Sequence, residues 1–330
     1  MKIYIPNLQD SLNKIGGGFT FLKNFHKGLK TKVEFVNNWK DCDIIFIFGI
    51  TTIDKTEVHN AINAGKKLVL RVDNIPRKSR NRRQSPTERL KEFGNKAEAV
   101  IYQSQWCKNY AGYFIEKKQI IRKTSDVGTT EQIYKSVLNP EYNEYIINNG
   151  VDTSIFNSKG RNSDSCTYVY INYNDNPNKR FDEALYWFDM EWRDNNNAHL
   201  IIAGQAPKVY IDHPEFNWDL PTNGKVEYVG IMNSPEQVSN LMKTCDYLLY
   251  PSFAEAYPNT LLEAMACGVR PVYMNTIGGT VEAYKNSIIE TEDIDELNKC
   301  NIGIGYKTGI KVKTIEEMCN EYLEVFKKLI

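Results

Sequence analysis

The run from Pro251 to Gly268, PSFAEAYPNTLLEAMACG, carries the most specific chemistry in this chain. A strand-sized apolar run, Tyr247 to Tyr250, leads into a Pro-Ser turn and a loop, and a helix is expected from Asn259-Thr260. The first amides of such a helix have no partners within it, and with the helix dipole they form an anion site. Asn259 is the expected cap. Two carboxylates flank this start: Glu255 in the loop, and Glu263 one turn in, three residues beyond Thr260. Carboxylates do not suit phosphate itself, but they accept hydrogen bonds from hydroxyls. The arrangement suits a diphosphate with a hydroxyl-rich group at each end, a sugar on one side and a ribose on the other.

Other groups are less specific. Asp73 ends the strand-like Lys67–Val72 run, at a carboxyl-end loop. Arg77-Lys78-Ser79-Arg80-Asn81-Arg82-Arg83 holds five cations in seven residues. It reads as a solvated loop or as an attractor for an anionic or phosphorylated acceptor. Asp41-Cys42-Asp43 precedes its strand and would sit at the far edge of a sheet, so no metal site is expected there. His26, His59, His199 and His213 have no ligand spacing. Gly278-Gly279 and Glu282 follow a strand and fit either a binding loop or a plain turn.

The elements that must position these groups alternate along the chain. Apolar runs at Lys2–Ile5, Asp43–Phe48, Lys67–Val72 and Ala99–Gln103 are separated by stretches of helical spacing, such as Phe21, Leu22, Phe25 and Leu29. Strand-helix repetition implies parallel strands buried on both faces by helices. The alternation restarts after Asn148-Asn149-Gly150-Val151-Asp152, and Asp152–Ser165 reads as a polar linker between two doubly wound α/β halves. Thr314 to Leu329 is a last amphipathic helix, with Thr314 and Glu317 at capping-box spacing. Ligands bind outside the carboxyl ends of such strands. Two halves face to face would make one cleft.

Composition bounds the function classes. The 330 residues carry 41 Lys+Arg against 41 Asp+Glu, with 42% hydrophobic and 25% charged residues. Two domains are expected at this length. The neutral balance argues against a dedicated nucleic-acid binder. No apolar run approaches the ~18–20 residues of a membrane span, and the N-terminus shows no signal-peptide pattern. Peripheral membrane contact stays open. Seven scattered cysteines without a Cys-x-x-Cys pair read as reduced thiols of a cytoplasmic protein.

Glu255, seven residues, Glu263, then Ala-Met-Ala-Cys-Gly resembles the donor-binding motif of family 4 glycosyltransferases. Ile147–Phe156 resembles their interdomain segment, and Val226-Glu227-Tyr228-Val229-Gly230 with Cys245-Asp246-Tyr247 resembles the following strand-helix-strand. The likeness is strong from about residue 145 to 285 and weaker before. It implies the GT-B fold: two Rossmann-like doubly wound parallel-sheet α/β domains facing across a cleft. The expected domains are 1–152, joined by the 314–330 helix, for the acceptor, and 153–313 for the nucleotide-sugar donor.

The resemblance also implies roles. Glu255 would bind the donor sugar, and Glu263 the ribose. The backbone of Ala256, Tyr257, Pro258, Asn259, Thr260 and Leu261, with the Thr260 hydroxyl, would hold the diphosphate, and the backbone near Met232 the base. Gly17 and Gly18 would let the backbone approach the donor phosphate or the acceptor. Asp73 would lie near the reacting sugar carbon. Lys179 matches the family's phosphate-neutralising Lys. Its Arg partner is replaced by Tyr173, and Arg180 is expected to point elsewhere on its helix.

The implied activity is transfer from a UDP- or GDP-sugar to an acceptor hydroxyl, as on a glycan, with retention of configuration and without metal or other cofactor. Glu255, Lys179 and Asp73 are the catalytic candidates. A weakly active or inactive sugar-nucleotide-binding scaffold is the alternative, as is a nucleotide-sugar epimerase of the same fold.

Overall fold

The structure is a computed structural model that describes residues 1–73, 86–111, 119–122, 134–137, 143–163, 166–172, 176–205, 225–288 and 310–330. The chain divides into two compact units, Met1–Gly150 with Ile315–Ile330, and Val151–Thr314. The fold of the whole is GT-B, with one parallel α/β sheet at the heart of each unit.

In the first unit, β1 (Lys2–Tyr4) is followed by α1 (Leu8–Leu12), α2 (Gly17–Leu29), β2 (Glu34–Val36) and β3 (Ile44–Ile47). Then come α3 (Lys55–Asn63), β4 (Lys67–Val72), α4 (Pro86–Gly94), β5 (Ala99–Tyr102) and α5 (Gln105–Ala111). The strands β6 (Gln119–Arg122) and β7 (Tyr134–Val137) pair antiparallel, and β8 (Asn143–Ile146) completes the main sheet. The sheet order is β2-β1-β3-β4-β5-β8, with every pairing parallel. Buried on both faces, β3 is apolar throughout. On α2, Phe21, Leu22, Phe25 and Leu29 are buried, the i, i+4, i+8 stripe of a helix with one face in the core.

In the second unit, β9 (Thr167–Asn172), α6 (Phe181–Asp194), β10 (His199–Gly204) and β11 (Val226–Gly230) come first. They are followed by α7 (Pro235–Lys243), β12 (Tyr247–Leu249), α8 (Asn259–Ala266), β13 (Arg270–Val272) and α9 (Thr280–Asn286). The sheet order is β11-β10-β9-β12-β13, again parallel. The last helix, α10 (Ile315–Lys327), belongs to the first unit. Its Met318, Tyr322 and Phe326 join the core of Phe21, Phe25 and Phe46, with the Phe25 and Tyr322 rings 5.2 Å apart.

The polar stretch after Val151 is not the expected linker. Phe156 is buried in the second unit's core, Ser239 Oγ donates to the Ile155 carbonyl at 2.7 Å, and the Asn162 amide donates to the Lys243 carbonyl at 3.1 Å. Phe156 in the core, Ile155 packed against it, and Arg161 on the Cys245 carbonyl and the Asp246 carboxylate bind this segment to the second unit despite its polar composition. The chain passes between units at Gly150–Val151 and Thr314–Ile315. No described helix is long and apolar enough to cross a membrane.

Each sheet reverses direction once. The chain runs from β9 outward to β10 and β11 and resumes at β12 on the other side, so the second unit's switch point lies between β9 and β12. In the first unit the switch lies between β1 and β3. Carboxyl ends at such points are where parallel α/β sheets form crevices.

Candidate functional site

Lys179 and Glu255 lie 76 residues apart in sequence and meet at the second unit's switch point. Lys179 sits in the loop after β9, and Glu255 in the loop after β12. Lys179 Nζ donates to Glu255 Oε1 at 3.0 Å, with both side chains partly buried. The two loops are also tied by backbone, since the Phe253 amide donates to the Asn178 carbonyl at 2.7 Å. Lys179 is presented by a short 3-10 turn, Pro177–Lys179, whose Asn176 side chain accepts from the Asn178 amide.

Glu255 is held as a one-residue strand. It bridges Gly278 in parallel, the Ala254 amide donates to the Ile277 carbonyl at 2.9 Å, and the Gly279 amide donates to the Glu255 carbonyl at 2.7 Å. Gly278 has φ +125, and a Cβ there would lie 2.8 Å from the Glu255 nitrogen and 2.9 Å from its oxygen. Only glycine allows that approach. The Gly278-Gly279 pair, left between binding loop and turn in the sequence, thus fixes the backbone of Glu255.

Helix α8 begins at Asn259, and Pro258 is its N-cap, not Asn259 as expected. The extended Pro258 backbone (φ −79, ψ 119) starts the helix one residue earlier, and no side chain caps it. An anion site at a helix start is built from such first amides. The side chains of Ala256, Tyr257 and Leu261 are buried, so these residues can offer a ligand only backbone. Thr260 and Asn259 are partly exposed. One turn on, the Glu263 carboxyl makes no hydrogen bond or ion pair with any described residue, and burial pushes it up to about 7. Met232 is partly exposed in the turn between β11 and α7.

Arg180 pairs with Glu183 along the helix that follows it. It is the left-handed N-cap of α6 (φ 51), and its guanidinium lies 5.8 Å from the Phe253 ring centre, two residues before Glu255. Burial raises the Glu183 carboxyl, with Arg180 pulling the other way. Tyr173, the Arg77–Arg83 run and His213 lie outside the described residues.

Asp73, Gly17 and Gly18 belong to the first unit. Asp73 follows β4, and its carboxylate reaches Gly18, at the start of α2, and Gly49, just past β3. Asp41 and Asp43 precede β3, where Asp43 Oδ2 accepts from the Lys2 amide at 2.7 Å. No group of three or more His, Cys, Asp or Glu among the described residues could hold a metal ion.

Residues 151–299 match the family model of glycosyl transferases group 1. An uncharacterized glycosyltransferase of Methanocaldococcus jannaschii is 31% identical over 96 residues, which are 29% of this chain and 24% of that relative. The match therefore spans about a quarter of the relative's length. Among solved structures, Anabaena HepE in complex with UDP-glucose aligns at TM-score 0.62 and 14% identity, over 99% of this chain and 90% of its own. A glycosyltransferase from Rickettsia africae aligns at TM-score 0.58 and 14% identity, over 99% and 98%. Both likenesses are of fold. The second unit is thus similar to glycosyl transferases group 1 over residues 151–299, on a chain whose fold is GT-B.

Proposed function

We propose that this protein is a retaining hexosyltransferase of family 4 that uses a nucleoside-diphosphate sugar, UDP-linked by preference, and delivers the sugar to an acceptor hydroxyl on a glycan. The observation that carries the reading is the Lys179–Glu255 pair at the β9/β12 switch point, beside a helix start that no side chain caps. The UDP-glucose complex of HepE favours uridine as the base.

In this reading the α8 amides and Lys179 take the diphosphate, Glu255 turns to the sugar hydroxyls, and Glu263 accepts from the ribose. The backbone near Met232 meets the base. The bond from the anomeric carbon to the phosphate oxygen breaks, and the electron pair leaves with the diphosphate. Positive dipole and ammonium stabilise that developing charge. The acceptor oxygen bonds to the same carbon on the face the phosphate leaves, and its proton passes to the departing phosphate. This route requires no protein nucleophile and no metal. The described cysteines are free thiols, mostly buried, which supports a reducing compartment such as the cytoplasm.

Calorimetric titration with nucleoside diphosphates and their sugars, followed by a product assay over candidate acceptors, tests the proposal. UDP is expected to bind. Lys179→Met should weaken UDP binding about 10-fold or more, the scale of one lost charge-assisted contact. Glu255→Ala should abolish transfer while the melting temperature holds within a few degrees. Unchanged turnover in Glu255→Ala would sink the assignment, and binding without any transfer would favour a scaffold. Transfer should also continue in excess EDTA.

A further inference from the structure

The loop after β9 and the loop after β12 are joined at successive residues. The Phe253 amide donates to the Asn178 carbonyl at 2.7 Å, and Lys179 Nζ donates to Glu255 Oε1 at 3.0 Å. Arg180 adds a third contact, with its guanidinium over the Phe253 ring and 5.8 Å from the ring centre. A cation at that distance is attracted by the negative face of an aromatic ring. The same guanidinium pairs with Glu183, in the first turn of α6. Through this one side chain the start of α6 is tied to the β12 loop.

Arg180 makes these contacts from a backbone that disfavours it. Its φ of 51 and ψ of 54 are left-handed, a conformation in which Cβ crowds the following carbonyl. The local hydrogen bonds fix that conformation. The Arg180 amide donates to the Pro177 carbonyl at 3.1 Å, and the Arg180 carbonyl accepts from the Glu183 amide at 3.1 Å and the Ala184 amide at 3.3 Å. The 3-10 turn that presents Lys179 thus ends, and α6 begins, on this residue. Glycine or asparagine takes such a backbone at less cost. What the arginine adds there is the Glu183 pair and the contact with Phe253, and a conformational cost carried beside a binding loop is a pointer to function.

We propose that Arg180 is a positioning residue that clamps the Lys179 loop to the Glu255 loop through the Phe253 ring. The clamp supports the Phe253–Asn178 backbone bond, and that bond sets the register in which Lys179 faces Glu255. Arg180 acts through Lys179 and does not itself contact the ligand. Its effect on nucleotide binding rests on the donor reading above, whereas the clamp does not.

The test uses the full chain and two variants. Arg180→Asn removes the guanidinium and suits the left-handed backbone. Phe253→Leu removes the ring and keeps the amide. Amide hydrogen exchange read by NMR tests the clamp without any ligand. In each variant protection of the amide at position 253 should fall about 3–5-fold, the scale of one exposed cation–π contact. The Ala254 amide, bonded to the Ile277 carbonyl, should keep its protection. The double variant should lose no more than either single one. Unchanged protection at position 253 in either variant, or an equal loss at Ala254, overturns the inference. Calorimetric titration with UDP reads the functional consequence. Arg180→Asn should bind UDP about 3–5-fold more weakly than the unaltered chain, and in a Lys179→Met background the same change should have no further effect. Additive losses would place Arg180 on the ligand itself and overturn its positioning role. Failure of the donor reading would appear instead as no UDP binding by the unaltered chain, and the exchange measurements would still decide the clamp.

Discussion

Glu263 has no described partner to stabilise its charge, so its protonation state is set by burial. A carboxyl near 7 in the folded chain, against about 4.5 unfolded, binds a proton more tightly when folded. Its stabilising contribution is fully present below pH 4.5 and is lost as the pH rises through 7. The shift corresponds to at most about 3 kcal/mol. Glu263→Gln keeps the shape and removes the titration. The variant should melt higher than the unaltered chain at pH 8, and the difference should shrink as the pH falls to 5. Thermal unfolding at several pH values checks this, and a gap independent of pH would contradict it. Ligand binding should move in the opposite sense. A ribose hydroxyl donates to the ionised form, so affinity for UDP should rise between pH 6 and 8 in the unaltered protein and stay flatter in Glu263→Gln.

The loops that carry the site are positioned by elements that were unequally legible. Apolar runs announced β3, β4 and β5, because a strand buried on both faces needs them. The edge strands β2 and β8 were not legible. Glu34-Phe35-Val36 and Asn143-Glu144-Tyr145-Ile146 are short and partly exposed, so they show neither a run nor a clean alternation. The carboxylates and the helix start could be read from spacing within one segment. The meeting of Lys179 with Glu255 could not, because it depends on β9 and β12 being neighbours in the sheet, and the only warning was a borrowed pattern. The glycine at 278 was visible as a residue but not as a constraint, since the backbone it admits is that of Glu255, 23 positions earlier. Gly278→Ala should therefore do more than strain a turn. Its φ of +125 and the 2.8 Å approach to the Glu255 nitrogen require the bridging strand to separate. A stability loss of about 2–3 kcal/mol is expected, together with a loss of nucleotide binding at temperatures where the variant is fully folded. Denaturant melts and calorimetry at 15 °C separate the two effects. Retained UDP affinity in the folded variant would mean that the Glu255 backbone does not depend on this bridge.

At the scale of the whole molecule, the chain returns to its first unit after completing the second. Helix α10 supplies Ile315, Met318, Cys319, Tyr322, Val325 and Phe326 to the core that holds Phe21, Phe25 and Phe46. The amphipathic period of this helix was clear in the sequence, but its destination was not, because periodicity says that a face is buried and not against what. Burying a large apolar side chain contributes about 1.5–3 kcal/mol. Six such residues together rival the whole stability of an ordinary domain, about 5–15 kcal/mol. A chain ending at Thr314 should consequently lose the first unit's fold while keeping the second. Hydrogen exchange followed by mass spectrometry is the direct measurement. Protection should collapse across α2, β1 and β3, whose inner faces α10 covers, and persist across β9, β10 and β12. Nucleotide binding should survive in the truncated chain, since Lys179, Glu255, Glu263 and the start of α8 all lie within Val151–Thr314. If the proposed function holds, sugar transfer should vanish, because the first unit, expected to take the acceptor, is no longer folded. Full protection of β1 and β3 without α10 would show that the aromatic cluster of Phe21, Phe25 and Phe46 holds without Tyr322 and Phe326.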